Sequence, residues 1–240
     1  YLCGMKTMKM ERAAVLCFAT AAALWACNDD ADSLSPRGGT GTLVLQDVCT
    51  EAPAGVLLPA VTRAVDADLE VEILQAGSGE TWRFAAGSAE LSSRITLPAG
   101  SYTLRAFTSN HSVQYTGTQH GAPKHYGETL FAIEDETVTY CSLAVPMTNC
   151  AVTLTLPEGF DTWFNACTFT VTLGARTVAL DGGSTVYLDV PPSAPLARCV
   201  LTATNIDGEH MSTTADFEVE AGRVYNVTYS MPTRTLTVNN

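Results

Sequence analysis

Apolar and polar residues alternate along most of the chain beyond residue 42, and this period of two restricts the fold more than any other feature. The clearest runs are LEVEIL at 69–74, VTLTL at 152–156 and FTVTL at 169–173, and turns rich in Gly and Pro separate such runs. Because the side chains of a strand point alternately to opposite faces, each run buries one face and exposes the other. No amphipathic helical run follows the N-terminal segment, so we predict an all-β chain built from antiparallel β-sandwiches.

One short segment departs from this pattern. Residues 160–164, FDTWF, are predicted to form a single helical turn between two strands. Aromatic side chains bury large apolar areas, so we expect those of this segment to pack in the core and not to serve as a surface for ligands.

Two stretches of the chain resemble each other at an offset of 86 residues. FAIEDETV at 131–138 aligns with FEVEAGRV at 217–224, and 97–106 aligns more loosely with 190–203. Both matches occur in the same order, which favours two related sandwiches. We therefore predict an N-terminal sandwich at 42–146 and a C-terminal sandwich at 147–240.

The first 26 residues have the pattern of an export signal. Lys6, Lys9 and Arg12 precede an apolar run of 14 residues, AAVLCFATAAALWA at 13–26. About 20 residues are needed to span a ~30 Å hydrocarbon core, so this run is too short for a transmembrane helix. Residues 1–26 are therefore predicted to be a signal peptide.

The leader ends at Leu24-Trp25-Ala26-Cys27, which resembles the bacterial lipobox. In that motif the signal peptidase recognises an aliphatic residue, here Leu24, and a small residue, here Ala26, and the cysteine sulfur receives diacylglycerol. Cys27 is thus the expected lipid-attachment site, acylated by fatty acids such as palmitate, and the membrane is a partner through this anchor. The alternative is an ordinary secretory signal that contains a cysteine.

Residues 27–41 are predicted to be a linker, acidic at first and then rich in Gly. Its shape resembles the tether of lipoproteins that gut Bacteroidales export to the cell surface, which implies a surface-exposed location on the outer membrane. A solvated linker without sorting information is the other interpretation.

Composition excludes several classes of function. The formal charge is −12, with 16% charged and 46% hydrophobic residues, which disfavours both a disordered acidic tail and a nucleic-acid-binding surface. The sequence contains no GxSxG, HExxH or Gly-rich phosphate loop, and we expect no enzymatic activity. Paired carboxylates of a glycosidase are left open, because folding alone brings such pairs together.

No metal or cofactor is expected either. His111, His120 and His125 lie close in sequence but lack regular zinc-ligand spacing, so we interpret them as solvated loop histidines. The acidic residues 134–136 lack calcium-loop spacing and are interpreted as a hairpin turn.

Several segments together resemble a known family. GTLVLQ at 41–46, LPAGSYTLRAF at 97–107 and YGETLF at 126–131 are similar to the fimbrillin-like lipoproteins of gut Bacteroidales, in an uncharacterised subfamily with LPAGxYT and YGExxF strands. The resemblance implies two transthyretin-like sandwiches. It also implies a structural or adhesive role as a pilus component or anchor, whose partners are other fimbrial subunits and, at the cell surface, a host glycan or protein.

By this resemblance, a protease would cut the precursor after an arginine that follows the first strand. Loss of that strand opens a groove that a strand of another subunit fills. Here 42–48 is the candidate strand, and Arg63 with Ala64 is the candidate cleavage site. An anchor or tip subunit would instead keep its first strand. The run at 233–238 is either the last strand of its own sandwich or a strand donated to a neighbour.

The alternative function is a surface glycan-binding lipoprotein. Its candidate aromatic residues are Trp82, Trp163, Tyr115 and Tyr126. We expect Trp82 and Trp163 to pack in the core, whereas Tyr115 and Tyr126 lie in the His-rich loop and are expected at the surface.

The eight cysteines divide by role. Cys3 and Cys17 lie in the leader and Cys27 is the lipid anchor, which leaves Cys49, Cys141, Cys150, Cys167 and Cys199. An exported protein permits disulfides, but five thiols cannot all pair within one chain. Cleavage after Arg63 would remove Cys49 and leave four, which allow three pairings.

Overall fold

The structure is a computed structural model that describes residues 38–52, 65–193 and 195–240. Residues 38–240 form one compact unit. Its strands are β1 Thr40–Thr50, β2 Leu69–Gln75, β3 Thr81–Phe84, β4 Ile95–Pro98, β5 Gly100–Thr108, β6 Tyr126–Ile133, β7 Val138–Val145, β8 Asn149–Thr155, β9 Phe164–Leu173, β10 Arg176–Ala179, β11 Thr185–Asp189, β12 Leu196–Asn205, β13 His210–Glu218, β14 Val224–Ser230 and β15 Thr235–Asn239. A 3₁₀ turn, Ala89–Ser92, and a one-turn helix, α1 Phe160–Trp163, complete the structure.

The first seven strands form a sandwich of two sheets. One sheet has the order β4-β1-β7 and the other the order β3-β2-β5-β6. The alternating residues that the sequence singled out point between the sheets, as Leu69, Val71 and Ile73 of β2 show. They form one hydrophobic cluster with β1, β4, β5 and β7.

The remaining strands form a second sandwich, with sheets β11-β8-β14-β15 and β10-β9-β12-β13. Its core draws on residues between Cys150 and Leu236, separately from the first cluster. The prediction of an all-β fold with two sandwiches is confirmed, whereas the domain boundaries at 146 and 147 stay a prediction.

The two sandwiches repeat one arrangement, as the internal sequence match indicated. β6 and β7 correspond in position to β13 and β14, and β4 and β5 correspond to β11 and β12. The second sandwich has an additional edge strand, β15, which pairs with β14.

Most strand pairs are antiparallel, as the sequence predicted, but two pairs are parallel. β1 runs parallel to β7, and β8 runs parallel to β14. Parallel neighbours need a long connection and cannot be joined by a hairpin, and in each case five strands lie between the two partners in the chain.

The connection between β5 and β6 packs the first sandwich against the second. Lys124 of this connection is buried, and its Nζ lies 2.5 Å from Oδ1 of Asp189 at the end of β11. The buried Asn149 accepts a hydrogen bond from the Lys124 backbone N–H at 3.1 Å and donates one to the carbonyl of Ala122 at 2.9 Å. Lys124 and Asn149 are thus paired with groups across the junction.

Two further predictions have an outcome in the fold. The helical turn is confirmed as α1, but only part of its aromatic cluster is in the core: Phe160 is buried, whereas the Trp163 residue is 55% exposed. The five cysteines beyond the linker are all free thiols.

Within the described ranges, no helix is long and apolar enough to cross a membrane.

Candidate functional site

The first strand occupies the centre of its sheet, between β4 and β7. It pairs antiparallel with β4, where Leu43 lies opposite Ile95, and parallel with β7, where Leu45 lies opposite Cys141. We call the channel between β4 and β7 the β1 groove. A strand in this position satisfies backbone hydrogen bonds on both of its edges, so its loss would leave two unpaired edges.

The inner face of β1 contributes to the core. Leu43, Leu45 and Val48 are buried, and the spacing changes from two to three after Leu45. The register with β7 shifts between Leu45 and Val48, where Asp47 has a φ of 50°. This β-bulge returns Val48 to the core side. β1 runs from Thr40 to Thr50 and so extends beyond both ends of the candidate strand at 42–48.

The beginning of β1 lies against the acidic turn between β6 and β7. The N–H of Glu136 donates to the carbonyl of Thr40 at 3.0 Å, and the N–H of Thr42 donates to the carbonyl of Thr137 at 2.8 Å. A Cβ on Gly41 would lie only 2.3 Å from the carbonyl oxygen of Glu134. Gly41 therefore permits this approach, and the turn at 134–137 supports β1.

The end of β1 is held by Asp66. Oδ2 of Asp66 accepts hydrogen bonds from both the backbone N–H and the hydroxyl of Thr50, each at 2.8 Å. The N–H of Asp66 donates to the carbonyl of Val48 at 2.9 Å. Asp66 thus holds the end of the strand from a position shortly after the proposed cleavage site.

Sequence reasoning missed Asp66 and Gly41. The only signals were an acidic residue soon after Arg63 and a glycine within a strand, which by themselves are common. Arg63 and Ala64 lie outside the described residues, as do Leu24, Ala26 and Cys27.

Cys49 lies on β1 opposite Ala144 and is half-buried. Burial, with a further contribution from Asp66 and other nearby carboxylates, raises the pKa of its thiol. Burial alone accounts for most of the rise in the pKa of Cys150 and Cys199 to about 12. A raised pKa favours the protonated thiol, which is the less nucleophilic form.

The three loop histidines contact different neighbours and do not converge. The His111 ring lies 4.3 Å from the Phe107 ring, the His120 carbonyl accepts a hydrogen bond from the N–H of Tyr187, and the His125 backbone bonds to Thr108. Burial lowers the pKa of His125. In the part of the chain that the structure describes, no group of three His, Cys, Asp or Glu side chains could hold a metal ion.

Tyr115 and Tyr126 are half-buried and were expected at the surface. The Tyr115 ring lies 5.3 Å from Nζ of Lys124 and 6.0 Å from the Arg176 guanidinium, so it packs at the junction of the sandwiches. The Tyr126 hydroxyl donates to Glu128 at 2.7 Å. Both rings thus have structural contacts.

The tryptophans differ from each other. The Trp82 ring is half-buried, 5.9 Å from the buried Tyr102 ring, in agreement with core packing. The Trp163 ring is exposed, and the prediction that it packs in the core was wrong. It lies instead in a cavity at one end of the second sandwich.

A family model described as "Domain of unknown function (DUF4493)" matches residues 39–239. No curated protein matches the chain.

Several solved structures are similar in fold, at low identity. One is a candidate adhesin from Bacteroides ovatus, with 8% identity and a TM-score of 0.44, for which the match covers 85% of this chain and 92% of that chain. A candidate cell adhesion protein from Bacteroides eggerthii has 10% identity and a TM-score of 0.41, with 80% and 85% covered. The fimbrial anchor protein Mfa2 from Porphyromonas gingivalis has 10% identity and a TM-score of 0.38, with 84% and 95% covered.

Proposed function

The chain belongs to the family described as Domain of unknown function (DUF4493), and we propose that it is a lipid-anchored structural or adhesive subunit of the cell surface. In this proposal it is a pilus component or anchor that assembles with other subunits by β-strand complementation. The lipid at Cys27 attaches the precursor to the outer membrane. In a pilus component, cleavage after Arg63 releases the first strand together with this lipid, whereas an anchor keeps both.

The observation that carries the proposal is the position of β1. The strand lies between β4 and β7 and precedes the other described strands in the chain, so it can leave without any other strand being unthreaded. Its departure would expose the edges of β4 and β7 together. A strand from a second subunit could then pair with both edges and restore their main-chain hydrogen bonds.

The side chains of β1 supply the second part of the argument. Leu43, Leu45 and Val48 are buried in the groove, and burying an aliphatic side chain contributes about 1.5–3 kcal/mol. A vacated groove would therefore be strongly apolar and would favour a strand with large apolar residues at matching positions. This requirement supports specific pairing of subunits over unspecific association.

The test is mass spectrometry of the N-terminus in the mature surface protein and in its assembled form. We expect the precursor to begin at lipid-bearing Cys27 and the assembled form to begin at Ala64, without Cys49. Arg63→Ala should abolish ladders that resist denaturation on gels. Arg94→Ala, which removes an exposed arginine from the same sandwich, is the matched control and should leave the ladders unchanged.

Two results would argue against this mechanism. Ladders built from protein that still begins at Cys27 would show that the first strand stays in place during assembly. A wild-type surface protein that remains monomeric under every condition of growth would exclude strand complementation altogether.

A further inference from the structure

Three connecting segments meet at one end of the second sandwich and form a cavity of about 190 Å³. They are the corner between α1 and β9, the hairpin turn between β12 and β13, and the turn between β14 and β15. Pockets that enclose drug-sized ligands measure about 300–1,000 Å³, so this one suits a single ring of a longer molecule. We call it the Trp163 pocket. Its polar lining residues are Asn205, Asp207, Glu209, His210 and Arg234.

The Trp163 side chain is exposed although its backbone is firmly placed. Its carbonyl accepts a hydrogen bond from the N–H of Ile206 at 3.0 Å. The neighbouring Phe164 ring stacks on the buried Phe160 ring, with centroids 4.6 Å apart. The hydrogen bond from Ile206 holds the backbone of Trp163 in place, while its ring is left at the surface and lines the cavity.

Ile206 extends the apolar surface beside this ring, because it is 52% exposed at the tip of the hairpin turn. The turn itself is ordered by its own hydrogen bonds. Nδ2 of Asn205 donates to Oε2 of Glu209 at 3.0 Å, and the N–H of Glu209 donates to Oδ1 of Asn205 at 2.8 Å. Both residues line the pocket, and these hydrogen bonds fix the Glu209 side chain relative to the turn.

Further polar groups line the same cavity. Nδ1 of His210 lies 2.9 Å from Oγ1 of Thr204, which orients the imidazole ring. Asp207 and Arg234 belong to two different turns and line the same cavity. Carboxylates accept two hydrogen bonds side by side, and a guanidinium donates two in a fixed plane.

This combination matches the chemistry of a sugar ring. A pyranose has an apolar face of C–H groups that stacks on an aromatic ring, and its neighbouring hydroxyls suit paired acceptors and donors. The pocket is therefore complementary to a carbohydrate in both its aromatic and its polar parts.

Charge narrows the class of carbohydrate. The pocket contains two carboxylates and one guanidinium, and the whole chain has a formal charge of −12. Sulfated or uronic acid sugars would meet like charges here. We propose that the Trp163 pocket binds a neutral polysaccharide, with Trp163 stacking on one pyranose ring and Asp207, Glu209 and Arg234 contacting its hydroxyls.

This inference is independent of the proposed assembly mechanism. The β1 groove belongs to the first sandwich, whereas the Trp163 pocket is built entirely from the second. Either proposal can therefore fail without the other.

The experiment is affinity gel electrophoresis of the full chain in gels that contain one soluble polysaccharide each. Laminarin, xylan, mannan and dextran are the neutral probes, and heparin and polygalacturonate are the anionic ones. We expect at least one neutral probe to retard the wild-type chain. Trp163→Ala should weaken that binding about tenfold or more, as expected for a central aromatic contact, and Trp163→Phe should retain part of it.

Matched variants separate binding from folding. Tyr140→Ala removes another exposed aromatic side chain, 61% exposed on β7, and should bind as the wild type does. Asp207→Ala should weaken binding without changing the thermal midpoint of unfolding. This variant still tests the pocket if Trp163→Ala does not fold.

Several outcomes would overturn the inference: no retardation by any neutral probe, equal retardation of wild type and both pocket variants, or binding to the anionic probes alone. Self-association that depends on Trp163 and that no sugar competes for would assign the pocket to a protein partner instead.

Discussion

Single residues at the two ends of β1 determine how the strand is held. Gly41 allows the acidic turn to approach the beginning of the strand, and Asp66 accepts two hydrogen bonds from Thr50 at its end. Neither residue belongs to the apolar face that buries β1. The stability of β1 in its groove therefore depends on contacts at its two ends as well as on its buried apolar side chains.

Asp66→Ala should loosen β1 selectively. The substitution leaves the half-buried N–H and hydroxyl of Thr50 without their acceptor, which costs about 1–3 kcal/mol. We expect faster hydrogen exchange at the amides of β1, measured by mass spectrometry, with no change at those of β8. Asp68→Ala, an exposed carboxylate two residues further on, is the control. Equal protection of β1 in both variants would show that Asp66 does not hold the strand.

Among the strands, the first and the last differ in their position within the sheet. β1 lies between two neighbours, whereas β15 is an edge strand that pairs only with β14. β15 nevertheless belongs to its own sandwich, because Leu236 is buried in the core opposite Tyr229. The arrangement agrees with the interpretation of 233–238 as the last strand of its own sandwich.

Deletion of residues 235–240 should destabilise the second sandwich. The loss removes the buried Leu236 side chain and exposes the edge of β14, and truncation of a buried leucine costs about 2–5 kcal/mol. We expect a lower midpoint in chemical denaturation. Leu236→Ala should reproduce much of the effect, while Thr237→Ala, on the exposed face of the same strand, should not. A truncated chain of unchanged stability would instead favour a donated strand.

The whole molecule depends on the junction between its two sandwiches. Lys124 is almost fully buried there, with a side chain that is 5% exposed, whereas its partner Asp189 is half-exposed. Removal of Asp189 would leave a buried ammonium group, whereas removal of Lys124 would leave a half-exposed carboxylate. A buried ammonium without a partner is costly, but a half-exposed carboxylate is hydrated again.

We therefore expect Asp189→Ala to destabilise the chain more than Lys124→Met. The first should lower the free energy of unfolding by about 1–3 kcal/mol, since it leaves Lys124 buried without its acceptor. Lys124→Met keeps the apolar stem and should cost less. Urea unfolding measures both, with Asp181→Ala, an exposed carboxylate in a turn, as the control. The reverse order of effects would show that the buried ammonium does not depend on Asp189.

Much of the local structure follows directly from the amino-acid sequence. Period-two alternation predicted the strands, the FDTWF segment predicted α1, and the offset of 86 residues predicted the repeated arrangement of strands. These features depend on neighbours within a few residues or on direct comparison of two stretches of sequence.

Contacts between segments that are distant in the chain are visible only in the folded structure. It placed β1 parallel to β7, brought Asp66 to Thr50 and exposed Trp163 at the junction of three turns. The physical reason is that strand pairing and burial depend on partners far away in the chain, whose register no local pattern encodes. An aromatic residue has the same local sequence signal whether the folded chain covers it or leaves it at the surface.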